Sequence, residues 1–203
     1  MPTYKLTYFN FMGLAEPIRL ILKYMGQEFE DVRIERSDWP QVKEAMPFGK
    51  VPVLEIDGKK IHQSTAICRY LGKQAGIAGK NDKESLEIDM IVDTFQDFRM
   101  EIVKLMQEQD PEAKEKKKET LIKETVPYYL AKFDEVIKNN GGHLVNGSLS
   151  WGDIYIISLT DSMTGILKTD IVTNYPNIQE LKKKVFSIPK IKAWVDKRPK
   201  TDF

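Results

Sequence analysis

Residues 51–64 carry the strongest local structural signal in the chain and read VPVLEIDGKKIHQS. The dipeptide Asp57-Gly58 separates two short runs of strand-forming residues, and it favours the two-residue turn of a β-hairpin. A helix is expected directly afterwards, from about Ser64 to Gln74. The segment therefore predicts an antiparallel strand pair that leads into a helix.

Upstream of the hairpin, the pattern is a strand, a helix and a second strand. Residues 4–8 alternate between apolar and polar side chains, Glu16-Pro17 opens an apolar helical stretch that Gly26 ends, and residues 29–34 form the next strand pattern. This order implies a right-handed crossover between parallel strands, followed by an antiparallel pair at the sheet edge. Residues 1–76 are therefore predicted to form an α/β, thioredoxin-like N-terminal domain.

The second half of the chain contains no strand pattern. Residues 77–84 are polar and contain glycine, so we place a linker there. Apolar residues then recur at helical spacing, which predicts an all-α C-terminal helical domain over residues 85–203. Ser150 and Asp153 match the capping box of a helix start, and this acid is therefore assigned to folding.

Composition excludes several classes of function. The chain has 203 residues with 31 Lys+Arg against 30 Asp+Glu, a net charge of +1, which argues against binding to nucleic acid or an anionic membrane. The sequence begins without the apolar segment of a signal peptide and contains no apolar run long enough to cross a bilayer. We expect a cytoplasmic protein with no membrane partner and no nucleic-acid partner.

Cysteine and histidine usage limits the chemistry further. The single cysteine, Cys68, excludes an intramolecular disulfide, and His62 and His143 do not have the spacing of a metal site. Cys68 lies on the helix after Ser64 and is expected to be buried and inert. No metal is expected, and any thiol chemistry must use a thiol from outside the chain.

Three positions near the strand ends could bind a small ligand. Tyr8 ends the first strand, at the edge where open α/β sheets place ligands, although most strand tyrosines are packing residues. A cis bond between Val51 and Pro52 would leave the Val51 main chain free for an extended peptide, whereas local sequence alone favours an ordinary tight turn. The helix start at Ser64 could bind a carboxylate or be a plain N-cap.

Several segments together resemble the cytosolic glutathione S-transferases of the sigma class, in particular the invertebrate type, which is related to glutathione-dependent prostaglandin D synthase. The resemblance runs the whole length of the chain. The segments are YKLTYF (4–9), DWP (38–40), PFGKVPVL (47–54), QSTAICRYL (63–71), DMIVDT (89–94), SWGDIY (150–155) and IPKIKAW (188–194).

The resemblance implies that glutathione is a co-substrate and that Tyr8 is the catalytic residue, donating its hydroxyl to the glutathione sulfur. It assigns Trp39 and Lys43 to the glycine end of glutathione and Val51 to its cysteinyl main chain. Asp97 would reach the γ-glutamyl ammonium across the interface of a homodimer. The remaining glutathione-binding positions that it implies are Gly49, Lys50, Pro52, Gln63 and Ser64.

The resemblance also implies a second, hydrophobic pocket that receives an apolar electrophile. Two residues depart from the family pattern. Leu14 stands where close relatives carry an arginine, and Lys104 stands where the prostaglandin D synthase branch has an aromatic residue. The implied wall consists of Phe9, Leu14, Met100, Lys104, Tyr155, Leu159 and Phe203.

Three functions are compatible with these residues. The first is a glutathione transferase used in detoxification, in which Tyr8 activates the thiol for attack on hydrophobic electrophiles. The second is a glutathione-dependent prostaglandin isomerase or a lipid peroxidase, which would use the same thiol without net conjugation. The third is a non-catalytic, crystallin-like glutathione binder, which the departure at Leu14 keeps open.

Overall fold

A computed structural model describes residues 2–201 of the chain, and Phe203 therefore lies outside the described residues. The first part contains four strands and three helices, and the second contains six helices. In chain order they are β1 (Tyr4–Phe9), α1 (Glu16–Met25), β2 (Glu30–Ile34), α2 (Trp39–Val42), β3 (Val53–Ile56), β4 (Lys59–His62), α3 (Ser64–Gln74), α4 (Asp82–Gln107), α5 (Pro111–Thr120), α6 (Val126–Asn139), α7 (Trp151–Leu167), α8 (Pro176–Ser187) and α9 (Pro189–Val195).

The four strands form one mixed sheet in the order β2-β1-β3-β4. Strand β1 is parallel to β2 and antiparallel to β3, so the crossover through α1 and the hairpin at the edge are both confirmed. At the hairpin turn Asp57 and Gly58 have φ angles of 50° and 80°. Positive φ at both positions is what the two-residue turn requires, and it explains why this dipeptide predicts the strand register.

A short connection over residues 75–81 joins α3 to the helices of the second half. Helix α4 begins at Asp82, inside the expected linker, and Asn81 caps it by accepting a hydrogen bond from the Glu84 N–H. A π-helical turn over Leu121–Thr125 joins α5 to α6. No helix between residues 2 and 201 combines the length and the apolar character that crossing a membrane would require.

Helix α7 joins the two halves, because α1 and α3 both pack against it. Its N-terminus is fixed by the capping box, in which the Asp153 carboxylate accepts hydrogen bonds from the Ser150 N–H and the Leu144 N–H. Trp151 is buried against Gly72 of α3, where a Cβ would lie only 2.7 Å from the tryptophan Cβ. Asp153 is thus part of the packing between helices.

Candidate active site

Tyr8 lies near the end of β1, with its ring buried between two aromatic neighbours. Phe9 and Phe11 meet it edge to face, with ring centroids 5.7 Å and 5.3 Å away. The Tyr8 hydroxyl oxygen accepts a hydrogen bond of 3.2 Å from the Leu14 N–H. This bond occupies a lone pair of the oxygen and leaves the hydroxyl hydrogen available for a ligand.

The protonation of Tyr8 follows from its burial. Burial raises the pKa of Tyr8 above its ordinary value, while the Leu14 N–H bond and the charges of Arg99, Arg19 and Arg36 lower it to a smaller extent. Burial outweighs these effects, so Tyr8 is a neutral hydroxyl at physiological pH. The site therefore presents a hydrogen-bond donor.

The loop between β1 and α1 fits closely around this hydroxyl. Gly13 has a φ of +41°, and a Cβ at this position would lie 2.7 Å from the Tyr8 hydroxyl oxygen. The buried Arg19 holds the loop by donating to the Phe11 carbonyl at 3.1 Å and to the Glu16 carboxylate at 3.1 Å. Glycine at position 13 is thus needed both for the backbone angle and for space.

A polar groove of about 270 Å³ runs along the segments before β3 and after β4. It brings together five of the expected glutathione-binding residues. These residues, with the three others that line the groove, are Lys50, Val51, Pro52, Gln63, Ser64, Leu14, Phe48 and His62.

Several main-chain groups of this groove are free to bind a ligand. The Val51-Pro52 peptide bond is cis, and within residues 2–201 the Val51 main chain makes no hydrogen bond. Gln63 has a φ of 73°, an uncommon value for a residue other than glycine, and it immediately precedes α3. The first N–H groups of α3 have no acceptor within the helix, so the groove offers donors at one end and an open peptide edge beside it.

The other expected glutathione-binding residues lie outside the groove lining. Trp39 packs its ring edge against Phe9, with ring centroids 5.2 Å apart. The Lys43 side chain lies over Gly49, where a Cβ would be 3.2 Å from the lysine Cε. Asp97 is exposed on α4. Trp39, Lys43 and Gly49 thus belong to the segment that leads into the groove.

An apolar cavity of about 300 Å³ lies on the other side of the β1–α1 loop, between α4 and α7. Of the expected pocket residues, Leu14 and Leu159 line it. Tyr8 also lines this cavity. The other ten lining residues were not named by the sequence-based prediction. The full lining is Tyr8, Phe11, Gly13, Leu14, Arg99, Ile102, Val103, Met106, Gln107, Leu159, Ser162, Met163 and Ile166.

Three expected pocket residues do not line this cavity, one at the end of β1 and two at the surface of α4. Phe9 stacks on Phe11 with ring centroids 5.6 Å apart, and Met100 is exposed on α4. Lys104 pairs with Glu101 at 2.6 Å in a separate groove against α5. The positions of Met100 and Lys104 follow from the helical repeat, which turns them away from the face of α4 that carries Ile102 and Met106.

Tyr155 also lies away from the cavity. It is fully buried on α7, and its hydroxyl is 3.4 Å from the Ser64 hydroxyl and 3.4 Å from the Thr65 hydroxyl. Tyr155 therefore connects the helical domain to the start of α3 rather than lining the apolar cavity.

Arg99 brings a positive charge to the otherwise uncharged wall of the cavity, and the sequence-based prediction did not name it. A signal for it was present, because Arg99 falls on the same helical face as Ile102, Val103 and Met106. A single cation on an apolar helix face is unusual and would have marked this position.

The described residues group no set of metal ligands at this site, and the chain's own thiol is buried in the core. Within residues 2–201 no three His, Cys, Asp or Glu side chains are grouped so that they could hold a metal ion. Cys68 is fully buried, and burial raises the pKa of its thiol well above the ordinary value. Cys68 therefore remains a protonated core residue at neutral pH.

Comparison with known proteins agrees with this geometry. Residues 4–73 match the family model "Glutathione S-transferase, N-terminal domain", and residues 96–198 match "Glutathione S-transferase, C-terminal domain". A glutathione S-transferase of Anopheles gambiae is 47% identical over 202 residues, covering 100% of both chains. The human hematopoietic prostaglandin D synthase is 40% identical over 203 residues, covering 99% of both chains.

A solved structure, that of prostaglandin synthase D of Nilaparvata lugens, superposes with a TM-score of 0.95. It is 58% identical, and the match covers 98% of this chain and 100% of the other. Both domains, the curated relatives and the superposition lead to the same assignment. The chain belongs to the glutathione S-transferase family, has sigma-class proteins among its relatives, and by family membership takes glutathione as substrate.

Proposed function

We propose that the Tyr8 hydroxyl donates a hydrogen bond to the sulfur of bound glutathione, which stabilises the thiolate, and that this thiolate attacks a hydrophobic electrophile in the apolar cavity. The observation that carries this proposal is the position of the β1–α1 loop. Leu14 lines both the polar groove and the apolar cavity, and its N–H binds the Tyr8 hydroxyl. A thiol in the groove would therefore meet an electrophile in the cavity beside Tyr8.

The groove residues support a binding mode for the tripeptide. We assign the cysteinyl main chain of glutathione to Val51, whose own main chain is free within residues 2–201. The γ-glutamyl carboxylate is assigned to Gln63, Ser64 and the start of α3, where N–H groups and the helix dipole favour an anion. Trp39 and Lys43, with Gly49 beside the lysine, receive the glycine carboxylate, and Lys50 and Pro52 line the remaining groove.

The chemistry requires only modest energies. A free thiol has a pKa of about 8.5, and lowering it by one unit takes about 1.4 kcal/mol of preferential stabilisation of the thiolate. One hydrogen bond to an ionised group supplies this amount. The thiol first loses its proton to solvent. The thiolate then uses an electron pair to form the bond to carbon, while the electrophile releases a leaving group with its bonding pair or, in an addition, shifts its alkene pair and takes up a proton from water.

Leu14 does not remove the donor at Tyr8. The hydrogen bond to the Tyr8 oxygen comes from the main chain of residue 14, so the side chain at this position does not affect it. A positive charge also acts on Tyr8 from another element, because Arg99 on α4 lowers the pKa of Tyr8. The leucine is therefore compatible with a catalytic Tyr8.

Replacing Tyr8 by phenylalanine tests the proposal. Tyr8→Phe removes the donor and keeps the ring, so we expect conjugation of a neutral electrophile to fall by about tenfold or more, in line with the loss of one charge-assisted hydrogen bond. An ultraviolet difference titration of bound glutathione should show a thiolate below pH 7 in the wild type and a higher transition in Tyr8→Phe. Full conjugating activity in the variant would refute the role, and a bound thiol that titrates near its free value in the wild type would favour a non-catalytic binder.

A second candidate function is glutathione-dependent isomerisation. It is favoured by the similarity to proteins named as prostaglandin synthases in Nilaparvata lugens and human. The same thiolate at Tyr8 would serve this reaction. Product analysis with prostaglandin H2, beside a lipid hydroperoxide, separates isomerase and peroxidase activity from conjugation.

We also propose that the enzyme is a homodimer. Apolar side chains are exposed on the first domain and on α4, among them Phe48, Tyr70, Leu86 and Met90, with exposures of 84%, 44%, 58% and 58%. Such side chains mark an interaction surface when they cluster, and the exposed Asp97 lies on the same helix as Met90. Sedimentation equilibrium should give twice the chain mass, and a monomer at micromolar concentration would contradict this expectation.

A further inference from the structure

Arg99 is the one charged side chain among the described residues that line the apolar cavity. Its Nε donates to the Gln96 Oε1 at 2.7 Å, and its Nη2 lies 3.6 Å from the Met100 sulfur. Within residues 2–201 no carboxylate forms an ion pair with it. A half-buried guanidinium beside apolar walls is thus left without a counter-charge, which is an unfavourable arrangement unless a ligand supplies one.

The guanidinium is also held in place. Gln96, which accepts from Arg99, donates its own Nε2 hydrogen to the Thr65 hydroxyl at 3.3 Å, at the start of α3. This chain of hydrogen bonds fixes one edge of the guanidinium. Its Nη1 group donates no hydrogen bond to another residue of the described range and remains able to bind a ligand in the cavity.

We infer that Arg99 is a specificity residue that binds the carboxylate of an amphipathic electrophile, so that the preferred acceptor is an apolar molecule with an anionic end. This inference rests on the proposed function. The apolar wall from Ile102 to Met106 and from Leu159 to Met163 would hold the hydrocarbon part, while the planar guanidinium pairs with a carboxylate through two parallel hydrogen bonds. Tyr8 lines the same cavity, which places the reacting sulfur within the same ligand site.

A competing role for Arg99 is binding of glutathione itself. The groove residues leave little need for this role, because Ser64 with the start of α3 and Lys43 already provide for the two glutathione carboxylates. Arg99 lines the cavity and is absent from the groove lining. The two roles predict different kinetic constants, so one set of variants distinguishes them.

The experiment compares 4-carboxybenzylideneacetone with its methyl ester, which carry the same enone and differ in charge. In the addition, the sulfur electron pair forms the bond to the β-carbon, the alkene pair moves to give an enolate, and water protonates it. We expect the wild type to prefer the acid, and Arg99→Gln to lose about tenfold of that preference in kcat/KM, as for one charge-assisted pair. Because the charge of Arg99 also acts on Tyr8, its removal lowers kcat/KM for both compounds alike, and the ratio of acid to ester is therefore the readout. The KM for glutathione should stay within about twofold. Arg99→Lys should retain part of the preference.

Lys104→Gln is the matched control, because it removes a cation from the same helix that lies in a different groove. It should leave the preference for the acid unchanged. The inference is wrong if Arg99→Gln leaves the ratio of acid to ester unchanged, if Lys104→Gln lowers it equally, or if Arg99→Gln raises the glutathione KM while the ratio stays constant.

A binding measurement keeps this inference separate from the proposed function. Calorimetry with the saturated analogue 4-(4-carboxyphenyl)butan-2-one and its methyl ester reports carboxylate binding without any reaction. Tighter binding of the acid to the wild type, lost in Arg99→Gln, supports the inference even if the enzyme conjugates neither enone. Equal binding of acid and ester to the wild type overturns it even if Tyr8→Phe abolishes conjugation.

Discussion

The polar groove and the apolar cavity share Leu14 but are built in different ways. Apart from Leu14, the groove comes from one short stretch, residues 48–64, and presents main-chain groups and a helix start. The cavity is assembled from three distant segments, residues 8–14, 99–107 and 159–166, and presents side chains. A site that always binds the same ligand can use main-chain groups. A site that accepts different ligands uses side chains, because these can be replaced without altering the fold.

Tyr8 lies between the groove and the cavity, and both main-chain and side-chain groups contact it. A main-chain N–H binds its oxygen, as in the groove, while aromatic and aliphatic side chains bury its ring, as in the cavity. Burial raises the pKa of Tyr8 and the main-chain bond lowers it. The position of the Tyr8 hydroxyl therefore depends on the close fit of the β1–α1 loop more than on any single polar contact.

The largest effect is expected from adding a methyl group at Gly13, beside the Tyr8 hydroxyl. In Gly13→Ala the new Cβ would lie 2.7 Å from the Tyr8 hydroxyl oxygen, so the hydroxyl must move. A displacement of about 1 Å at a reacting group can remove its contribution to the rate, so we expect kcat to fall by about tenfold or more, as in Tyr8→Phe, which lacks the hydroxyl altogether. Steady-state kinetics with a neutral electrophile measures it, and the KM for glutathione should change little because the groove is untouched.

Gly58→Ala is the control for backbone strain. Gly58 also has a positive φ, of +80°, but a Cβ there would have no neighbour within 4 Å. It should lower the melting temperature and leave kcat near the wild-type value. An equal loss of kcat in both variants would mean that strain rather than the contact with Tyr8 is responsible, and an unchanged rate in Gly13→Ala would show that the hydroxyl position is not critical.

The same contrast explains what could be predicted from the sequence. The hairpin, the parallel crossover and the helix start at Ser64 follow from local residue patterns, and the structure has them at the expected positions. Five of the expected glutathione-binding residues line the groove because neighbours in sequence are neighbours in it. The cavity depends on how α4 and α7 are rotated against the sheet, which no short segment specifies. Arg99 was therefore missed, and Tyr155 of α7 directs its hydroxyl at the start of α3 rather than lining the cavity.

Two further substitutions should have smaller effects, one on glutathione binding in the groove and the other on electrophile binding in the cavity. Ser64→Ala removes a buried hydroxyl at the helix start of the groove, so the KM for glutathione should rise about tenfold, the usual effect of one hydrogen bond to a charged group.

Met106→Ala removes an apolar contact from the cavity at a side chain that is 39% exposed, so stability should change little. The kcat/KM for an apolar electrophile should then fall about threefold, in line with the loss of about 1 kcal/mol or less of apolar contact.

Each variant serves as the control for the other. Ser64→Ala should leave the KM of the apolar electrophile unchanged, and Met106→Ala should leave the KM of glutathione unchanged, because the groove and the cavity have separate walls at these two residues. Thermal melting of both variants detects any general loss of structure. If either substitution shifts both constants together, the two regions are coupled through the β1–α1 loop, and the division between a backbone site and a side-chain site does not hold.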